Sequence, residues 1–296
     1  MASHKLQGIM AALITPFTED RKFVDYAALD AHINRLIGYG VHGLVAGGST
    51  GEFTTLTTKE RKALVEQCIR SAAGRVPVIA GTGALTTDEI LDLSVHAAAA
   101  GASAVLVVPP FYEKPTYKQL RELMAAVCQA IQIPVFYYHI PTASGLHLKP
   151  DQIAGLADVG VQYVKDSSGD GPALTDLLFH HQQTIVTFNG WDALTFYGLA
   201  AGAQGAIWGA VNVVPELTLQ LWQAMSVNGD LSRGRELWSR IYPVCQFLES
   251  RSHYAAAVKA GMELRGWTAG PTRNPFELED NTELVELLST AGIRLV

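Results

Sequence analysis

Eight short apolar segments recur along the chain, and their spacing limits the possible folds more than any other feature of the sequence. They begin near residues 8, 42, 76, 104, 134, 161, 184 and 203, so successive starts lie 19 to 34 residues apart. Most of them are continuously apolar, which is typical of strands buried on both faces. We therefore predict strands at 8–15, 42–48, 76–81, 104–109, 134–140, 161–166, 184–189 and 203–209.

Segments with helical spacing lie between the predicted strands. Their apolar residues recur at intervals of three and four, and the first three segments end just before a glycine that can cap a helix. The clearest of these segments are 26–39, 58–73, 87–100 and 116–130. Eight such strand–helix units predict an α/β fold, specifically a (β/α)8 TIM barrel. An open, doubly wound sheet is the alternative.

The chain continues well beyond the last predicted strand. Further helices are predicted at 215–227, 231–248, 254–264 and 282–288. We interpret residues 1–227 as the catalytic barrel. Residues 228–296 are predicted to be a C-terminal helical segment that packs on the barrel or on a partner subunit.

Composition excludes several classes of protein. Lys plus Arg number 22 and Asp plus Glu 28, so the formal net charge is −6, whereas a nucleic-acid-binding protein would carry a basic surface. Hydrophobic residues make up 48% and charged residues 17%, which is the opposite of a disordered chain. The three cysteines are widely spaced, and no apolar run is long enough to span a membrane. We expect a cytoplasmic protein with no membrane partner.

Lys165 is the first candidate for chemistry, because it lies in the sixth predicted strand, near its carboxyl end. In a TIM barrel the active site lies at the carboxyl ends of the strands, so its side chain is expected in the barrel mouth. A lysine amine shielded from water loses its proton more easily, and a neutral amine can attack a carbonyl carbon to form an imine. The alternative is a solvated lysine, or one paired with Asp166.

Two further strand ends carry candidate groups. The turn at 48–52, Gly-Ser-Thr-Gly-Glu, combines close backbone approach with hydroxyl groups and can hold a carboxylate or a phosphate. Tyr138, near the end of the fifth predicted strand, can act as a general acid or base. An ordinary tight turn and a packed tyrosine are the respective alternatives. The nine histidines show no spacing typical of metal ligands, so no metal site is predicted.

Three motifs in this order resemble the dihydrodipicolinate synthase / N-acetylneuraminate lyase superfamily. They are Gly-Ser-Thr-Gly-Glu at 48–52, Tyr-His-Ile-Pro at 138–141 and Val-Lys-Asp-Ser-Ser-Gly at 164–169, with shorter matches at 15–17 and 270–273. The resemblance extends over essentially the whole chain. It implies a class I lyase or aldolase that forms an imine with pyruvate or another 2-oxo acid and requires no cofactor beyond that imine.

The resemblance assigns catalytic roles to four residues. Lys165 forms the imine with the 2-oxo carbon, and Tyr138 carries a proton to or from the substrate hydroxyl. Ser49 links Tyr138 to Tyr112, which reaches in from a neighbouring subunit. Because Tyr112 acts across an interface, the resemblance implies a homodimer or a homotetramer.

Four other positions match the part of the family pattern that binds substrate. Gly48 and Thr50 lie on the turn that holds the carboxylate of the 2-oxo acid. Ile207 matches a backbone position beside pyruvate, and Asp192 matches an aspartate that contacts sugar hydroxyls in sialic acid lyases. The partners implied are therefore pyruvate and an aldehyde.

The chain departs from its two best-known relatives at positions that select the aldehyde. Dihydrodipicolinate synthases have an arginine where this chain has Ala143, and sialic acid lyases have a glutamate where it has Ala193. The run at 165–170 resembles aldolases for 2-keto-3-deoxy sugar acids or 4-hydroxy-2-oxoglutarate. We therefore predict an aldolase for one of these acids or for a sialic-acid-like acid. The alternatives are 4-hydroxy-tetrahydrodipicolinate synthase, a Schiff-base dehydratase of the same superfamily, and a non-catalytic protein that binds oxo acids.

Overall fold

The computed structural model describes residues 6–277 and 280–296 of the chain. Eight parallel strands form a closed barrel in which each strand pairs with its neighbours in sequence and the first pairs with the eighth. The strands are β1 (Gly8–Ala12), β2 (Gly43–Ala46), β3 (Val78–Gly81), β4 (Ala104–Val107), β5 (Val135–His139), β6 (Tyr163–Asp166), β7 (Val186–Asn189) and β8 (Gly205–Trp208). The predicted (β/α)8 barrel is confirmed. The alternative of an open sheet is excluded, because β1 and β8, which would be edge strands, pair with each other.

Each strand is shorter than the apolar segment that predicted it. The first segment was expected to be extended to residue 15, but β1 ends at Ala12 and the buried residues that follow belong to a loop. Just after β1, Leu13 still donates its backbone N–H to the carbonyl of Val45 in β2, at 3.0 Å. The predicted segment was too long because the loop residues that follow β1 are also apolar and buried.

The barrel interior is filled by alternate residues of the strands. Phe136 stacks on Tyr163 at 4.5 Å between ring centroids and meets Phe188 edge to face at 5.4 Å. Tyr138 follows on the same face of β5, where its register partner on β6 is Lys165. Inward side chains at the carboxyl end of the barrel therefore rest on a packed aromatic layer.

Helices separate the strands, as predicted, and cover the barrel. The crossover helices are α1 (Tyr26–Tyr39), α2 (Thr58–Ala72), α3 (Thr87–Ala100), α4 (Tyr117–Ala130), α5 (Pro141–Ser144), α6 (Pro150–Ala154), α7 (Gly171–Phe179) and α8 (Thr195–Ala200). Two bounds differ from the prediction. Thr116 caps α4 instead of starting it, and Ala73, with φ 49°, is the C-cap of α2 and is followed by Gly74 with φ 72°.

Four helices follow β8. They are α9 (Pro215–Trp222), α10 (Leu231–Ser250), α11 (Tyr254–Glu263) and α12 (Thr282–Thr290). The helix predicted at 215–227 changes to a π turn over Gln223–Val227. The Arg240 guanidinium donates two hydrogen bonds to the carbonyl of Ala291, at 2.6 and 3.1 Å, which holds the end of α12 against α10. No helix in the described ranges is both long and apolar enough to cross a membrane. The domain division at residue 227 stays a prediction.

A buried ion pair joins the loop after β2 to α11. The Lys259 Nζ lies 2.6 Å from Glu52 Oε1 and donates to the carbonyl of Pro271 at 2.9 Å. The second carboxylate oxygen of Glu52 accepts the backbone N–H of Arg273 at 3.0 Å. Burial lowers the pKa of Lys259, and Glu52 opposes that change. Because removing one member of a buried pair leaves the other charge uncompensated, this pair locks the 48–52 turn to the C-terminal segment.

Candidate active site

A cavity of about 560 Å³ lies at the carboxyl ends of the strands. The barrel supplies one side of it and the C-terminal segment supplies the other. Barrel residues that line it include Ser49, Thr50, Tyr138, Ile140, Lys165, Ser167, Gly190, Asp192 and Ile207. The C-terminal segment adds Glu249, Arg251, Ser252, His253, Tyr254 and Phe276. The cavity therefore lies where the barrel rule places an active site.

Lys165 extends into this cavity from β6. Only 6% of the residue is exposed, and its Nζ lies 4.1 Å from the centroid of the Tyr138 ring. The amine makes no hydrogen bond or ion pair with any residue in the described part of the chain. A buried lysine without a carboxylate partner is rare, and such lysines cluster at functional sites.

Asp166 does not pair with Lys165, because the two side chains leave β6 on opposite faces. The Asp166 carboxylate lies 2.8 Å from His139 Nδ1, and it accepts the hydroxyl of Ser168 at 3.1 Å. Both His139 and Asp166 are almost fully buried. The ion pair considered from the sequence is therefore absent from this part of the structure, and the negative charge of Asp166 is directed away from the cavity.

Gly190 provides the space that the lysine stem occupies. A Cβ at this position would lie 2.6 Å from Lys165 Cε, 2.7 Å from its Cγ and 2.3 Å from Ser167 Oγ. Ser167 donates its hydroxyl to the Gly190 carbonyl at 2.7 Å, so the two chain segments are fixed against each other. Any side chain at residue 190 must displace the lysine or the serine.

The turn after β2 lies beside the lysine, as predicted. Thr50 is 7% exposed and lines the cavity together with the more exposed Ser49. Gly48 lies behind them and shares a smaller void with Ser49 and Tyr138. This placement is compatible with a carboxylate on the turn and with a contact between Ser49 and Tyr138, and both roles stay predictions.

Tyr112 lies apart from the other predicted residues. It is 85% exposed and does not line the cavity of its own chain. A large aromatic side chain with this exposure is available for contact with a partner. Its contribution to a neighbouring site therefore stays a prediction.

Ile207 and Asp192 complete the predicted set. Ile207 is 1% exposed and lies in the inner layer of the barrel. Asp192, after β7, accepts a hydrogen bond from the Tyr254 hydroxyl and another from the backbone N–H of Ala210 at 3.3 Å. Burial raises the pKa of Asp192 to about 6, against the stabilising effect of the hydrogen bond from Tyr254.

Residues of the C-terminal segment were not predicted as part of the site. The Glu249 carboxylate reaches the cavity from the end of α10 and accepts the backbone N–H of Ala193 at 3.3 Å. Burial, followed by the charge of Asp192, raises the pKa of Glu249 to about 8. Tyr254 occupies the space beside Gly209, where an added Cβ would lie 2.1 Å from its hydroxyl. The only sequence signal was a short polar break, at 249–253, between two predicted helices.

Comparisons with known proteins identify the family of the chain. The chain matches the model of the dihydrodipicolinate synthetase family over residues 5–291. It is 35% identical to the 4-hydroxy-tetrahydrodipicolinate synthase of Methanopyrus kandleri, over 95% of this chain and 94% of that protein. It is 39% identical to the enzyme of the same name from Agrobacterium fabrum, over 80% and 81%. The site and these matches define a lyase of the class I aldolase type.

The chain belongs to the dihydrodipicolinate synthetase family. Among solved structures, it resembles a chloride-inhibited dihydrodipicolinate synthase from Acinetobacter baumannii complexed with pyruvate, with a TM-score of 0.92 and 29% identity over 98% of this chain and all of that one. It also resembles YagE, a prophage protein of the same family from E. coli K12 in complex with pyruvate, with a TM-score of 0.92 and 28% identity over 97% and 99%. The resemblance stated from the motifs is confirmed.

We expect Gly190→Ala to disable the lysine without unfolding the barrel. The added methyl group overlaps the Lys165 stem, and a displacement of about 1 Å at a reacting group can cost about 10²-fold in rate. The measurement is the rate at which pyruvate and borohydride modify Lys165, followed by mass spectrometry and compared with the melting temperature. Gly171→Ala is the matched control, because nothing lies near its added Cβ. If Lys165 of Gly190→Ala were modified at the wild-type rate, the proposed overlap with the lysine stem would be contradicted.

Glu249→Gln is expected to flatten the dependence of stability on pH. Folded Glu249 keeps its proton up to about pH 8, whereas the unfolded carboxyl loses it near 4.5. Unfolding therefore releases a proton between these values, so the free energy of unfolding of the wild type falls as pH rises through that range. Denaturant titrations at several pH values measure this. Glu236→Gln, on the exposed face of α10, should follow the wild type. If the free energies of unfolding of Glu249→Gln and the wild type differed by the same amount at every pH, the raised pKa would be contradicted.

Proposed function

We propose that the protein joins pyruvate to an aldehyde through an imine on Lys165. The observation that carries this proposal is the buried, unpaired Lys165 amine in the cavity at the barrel mouth. Thr50 and Ser49 lie on the same wall, where hydroxyl and backbone N–H groups are available to the pyruvate carboxylate. The solved relatives complexed with pyruvate support the same first substrate.

The proposed reaction uses only groups of this chain. The Lys165 amine attacks the 2-oxo carbon of pyruvate, and loss of water leaves a protonated imine. Tyr138 gives its proton to the departing hydroxyl group when water leaves, and it then takes a proton from the methyl carbon, because the imine withdraws electrons from that carbon. The resulting enamine attacks the aldehyde carbon. Tyr138 gives a proton to the aldehyde oxygen as the new C–C bond forms, and water then releases the product from Lys165. The imine serves as the electron sink, so we propose no metal and no separate cofactor.

The relatives favour aspartate semialdehyde as the aldehyde. The two curated proteins described above are both 4-hydroxy-tetrahydrodipicolinate synthases, which supports the alternative reaction over the sugar-acid cleavage that the motifs first suggested. We therefore propose the synthase reaction as the principal activity. We propose a cytoplasmic homodimer or homotetramer, in which Tyr112 of one subunit reaches the site of its neighbour.

A second candidate function is retro-aldol cleavage of a hydroxylated 2-oxo acid. Its support is Asp192, which lines the cavity and can accept hydrogen bonds from hydroxyl groups. Ala143 supports it too, because this exposed residue carries no charge for a semialdehyde carboxylate. The candidate substrates are 2-keto-3-deoxy sugar acids, 4-hydroxy-2-oxoglutarate and sialic-acid-like acids.

Pyruvate and borohydride together should add a reduced pyruvyl group to Lys165. Borohydride reduces an imine to a stable amine, so peptide mapping by mass spectrometry identifies the lysine that reacted. Lys165→Ala should remain unmodified and inactive while keeping its melting temperature, and Lys118→Ala, on the exposed surface of α4, should react like the wild type. Modification elsewhere, or none, would refute the imine mechanism.

A substrate panel should separate the two candidate functions. We expect aspartate semialdehyde with pyruvate to give the highest kcat/KM, measured as pyruvate consumption. Pyruvate release is measured in parallel from the hydroxylated 2-oxo acids, with Lys165→Ala as the blank for both assays. If kcat/KM for any hydroxylated 2-oxo acid exceeded that for aspartate semialdehyde, retro-aldol cleavage would be the principal activity and the synthase proposal would be rejected.

A further inference from the structure

The cavity wall opposite the barrel contains a cation and a helix N-terminus. The turn from Arg251 to His253 connects α10 to α11, and all three of its residues line the cavity. Among the described residues, Lys165 and Arg251 are the only lysine or arginine on that lining. The two cations thus lie in one cavity, but they come from different parts of the fold.

Arg251 is held in place before any substrate arrives. Its guanidinium carbon lies 4.0 Å from the centroid of the Phe247 ring, and its Nη2 pairs with the Glu283 carboxylate on α12. The side chain is 32% exposed. A guanidinium fixed by stacking and by one ion pair keeps other N–H groups for a planar anion, and it loses little side-chain entropy when it binds one.

The first turn of α11 adds backbone donors to the same wall. This helix has ten residues, and its N-cap residue, His253, makes no side-chain hydrogen bond to the first turn. Tyr254, Ala255 and Ala256 form that first turn and line the cavity. The first N–H groups of a helix lack partners within the helix, and they favour negative charge. Lys165, of which 6% is exposed, opens into the same cavity, so a 2-oxo acid held by its amine faces this wall.

An acidic neighbour limits the charge that this wall accepts. Asp192 lines the cavity beside Tyr254, so a group with two negative charges meets more repulsion from its carboxylate than a single carboxylate does. Ala143, the position at which a dihydrodipicolinate synthase carries its arginine, does not line the cavity. A carboxylate on the second substrate therefore has Arg251 as its cationic partner.

We propose that Arg251 and the first turn of α11 bind the carboxylate of the aldehyde substrate while Lys165 holds pyruvate. This inference rests on the proposed pyruvate–aldehyde condensation and names the residues that select an anionic aldehyde. A phosphate ester has related anion chemistry, and the assay below separates it from a carboxylate.

Arg251→Ala should raise the KM for aspartate semialdehyde and succinic semialdehyde about 10- to 100-fold, the range for losing a charged hydrogen-bond partner. The KM for neutral glyceraldehyde should change less than about 2-fold, because this aldehyde carries no carboxylate. Imine formation with pyruvate should keep the wild-type rate, because it does not involve the second substrate. Arg251→Lys should recover part of the loss. A larger effect on glyceraldehyde 3-phosphate than on the semialdehydes would assign the subsite to phosphate and overturn the carboxylate proposal.

Two controls separate binding from structural damage and from failure of the proposed reaction. Glu283→Gln removes the ion-pair partner of Arg251 but leaves the cation, so it should keep a low KM for the semialdehydes. If it matched Arg251→Ala, packing of α12 would explain the effect and the subsite would be refuted. Calorimetric titration of succinic semialdehyde into enzyme carrying the reduced pyruvyl group measures binding without turnover. Equal affinity of the wild type and Arg251→Ala, or no binding at all, would overturn the proposal even if the imine forms.

Discussion

Closure of the barrel in sequence order is the constraint on which the site depends. Eight parallel strands paired in this way must all end at one rim, so groups that are distant in sequence meet there. The register pairs Tyr138 with Lys165 across β5 and β6, with both side chains inside. A shift of one residue would exchange this inner pair for His139 and Asp166 and would direct a carboxylate into the space that the Lys165 amine now occupies.

The electrostatic character of the cavity follows from the two elements that form it. The barrel directs the charge of Asp166 outwards to His139 and leaves the amine of Lys165 without a carboxylate partner. The C-terminal segment brings Glu249 close to Asp192, and burial raises the pKa of Glu249 to about 8, so this carboxyl is largely protonated at neutral pH. The cavity therefore carries less negative charge than its residue types suggest. An anionic oxo acid can enter a protein of net charge −6 because the local field, rather than the total charge, controls binding.

Local patterns predicted most of the barrel and one side of the site. Strands and helices depend on neighbours within a few residues, and Lys165 and Tyr138 follow from strand ends once the barrel is assumed, whereas Asp192 followed from the family resemblance. The opposite wall could not be predicted this way. Glu249 meets the Ala193 backbone across 56 residues and Tyr254 meets Asp192 across 62, and no periodicity records such contacts. Tyr112 poses a different problem, since its predicted role requires a second chain.

The buried pair of Glu52 and Lys259 joins two residues that the ribosome adds far apart in time. All eight strands have been made once Trp208 is added, yet Glu52 at that time has no cation to meet it. A chain that ended before residue 259 would leave the Glu52 carboxylate without this cation and the cavity without part of its second wall, and incomplete chains of this kind are prone to aggregation and proteolysis. The pair thereby links the charge balance of the 48–52 turn to completion of the wall that encloses the Lys165 amine.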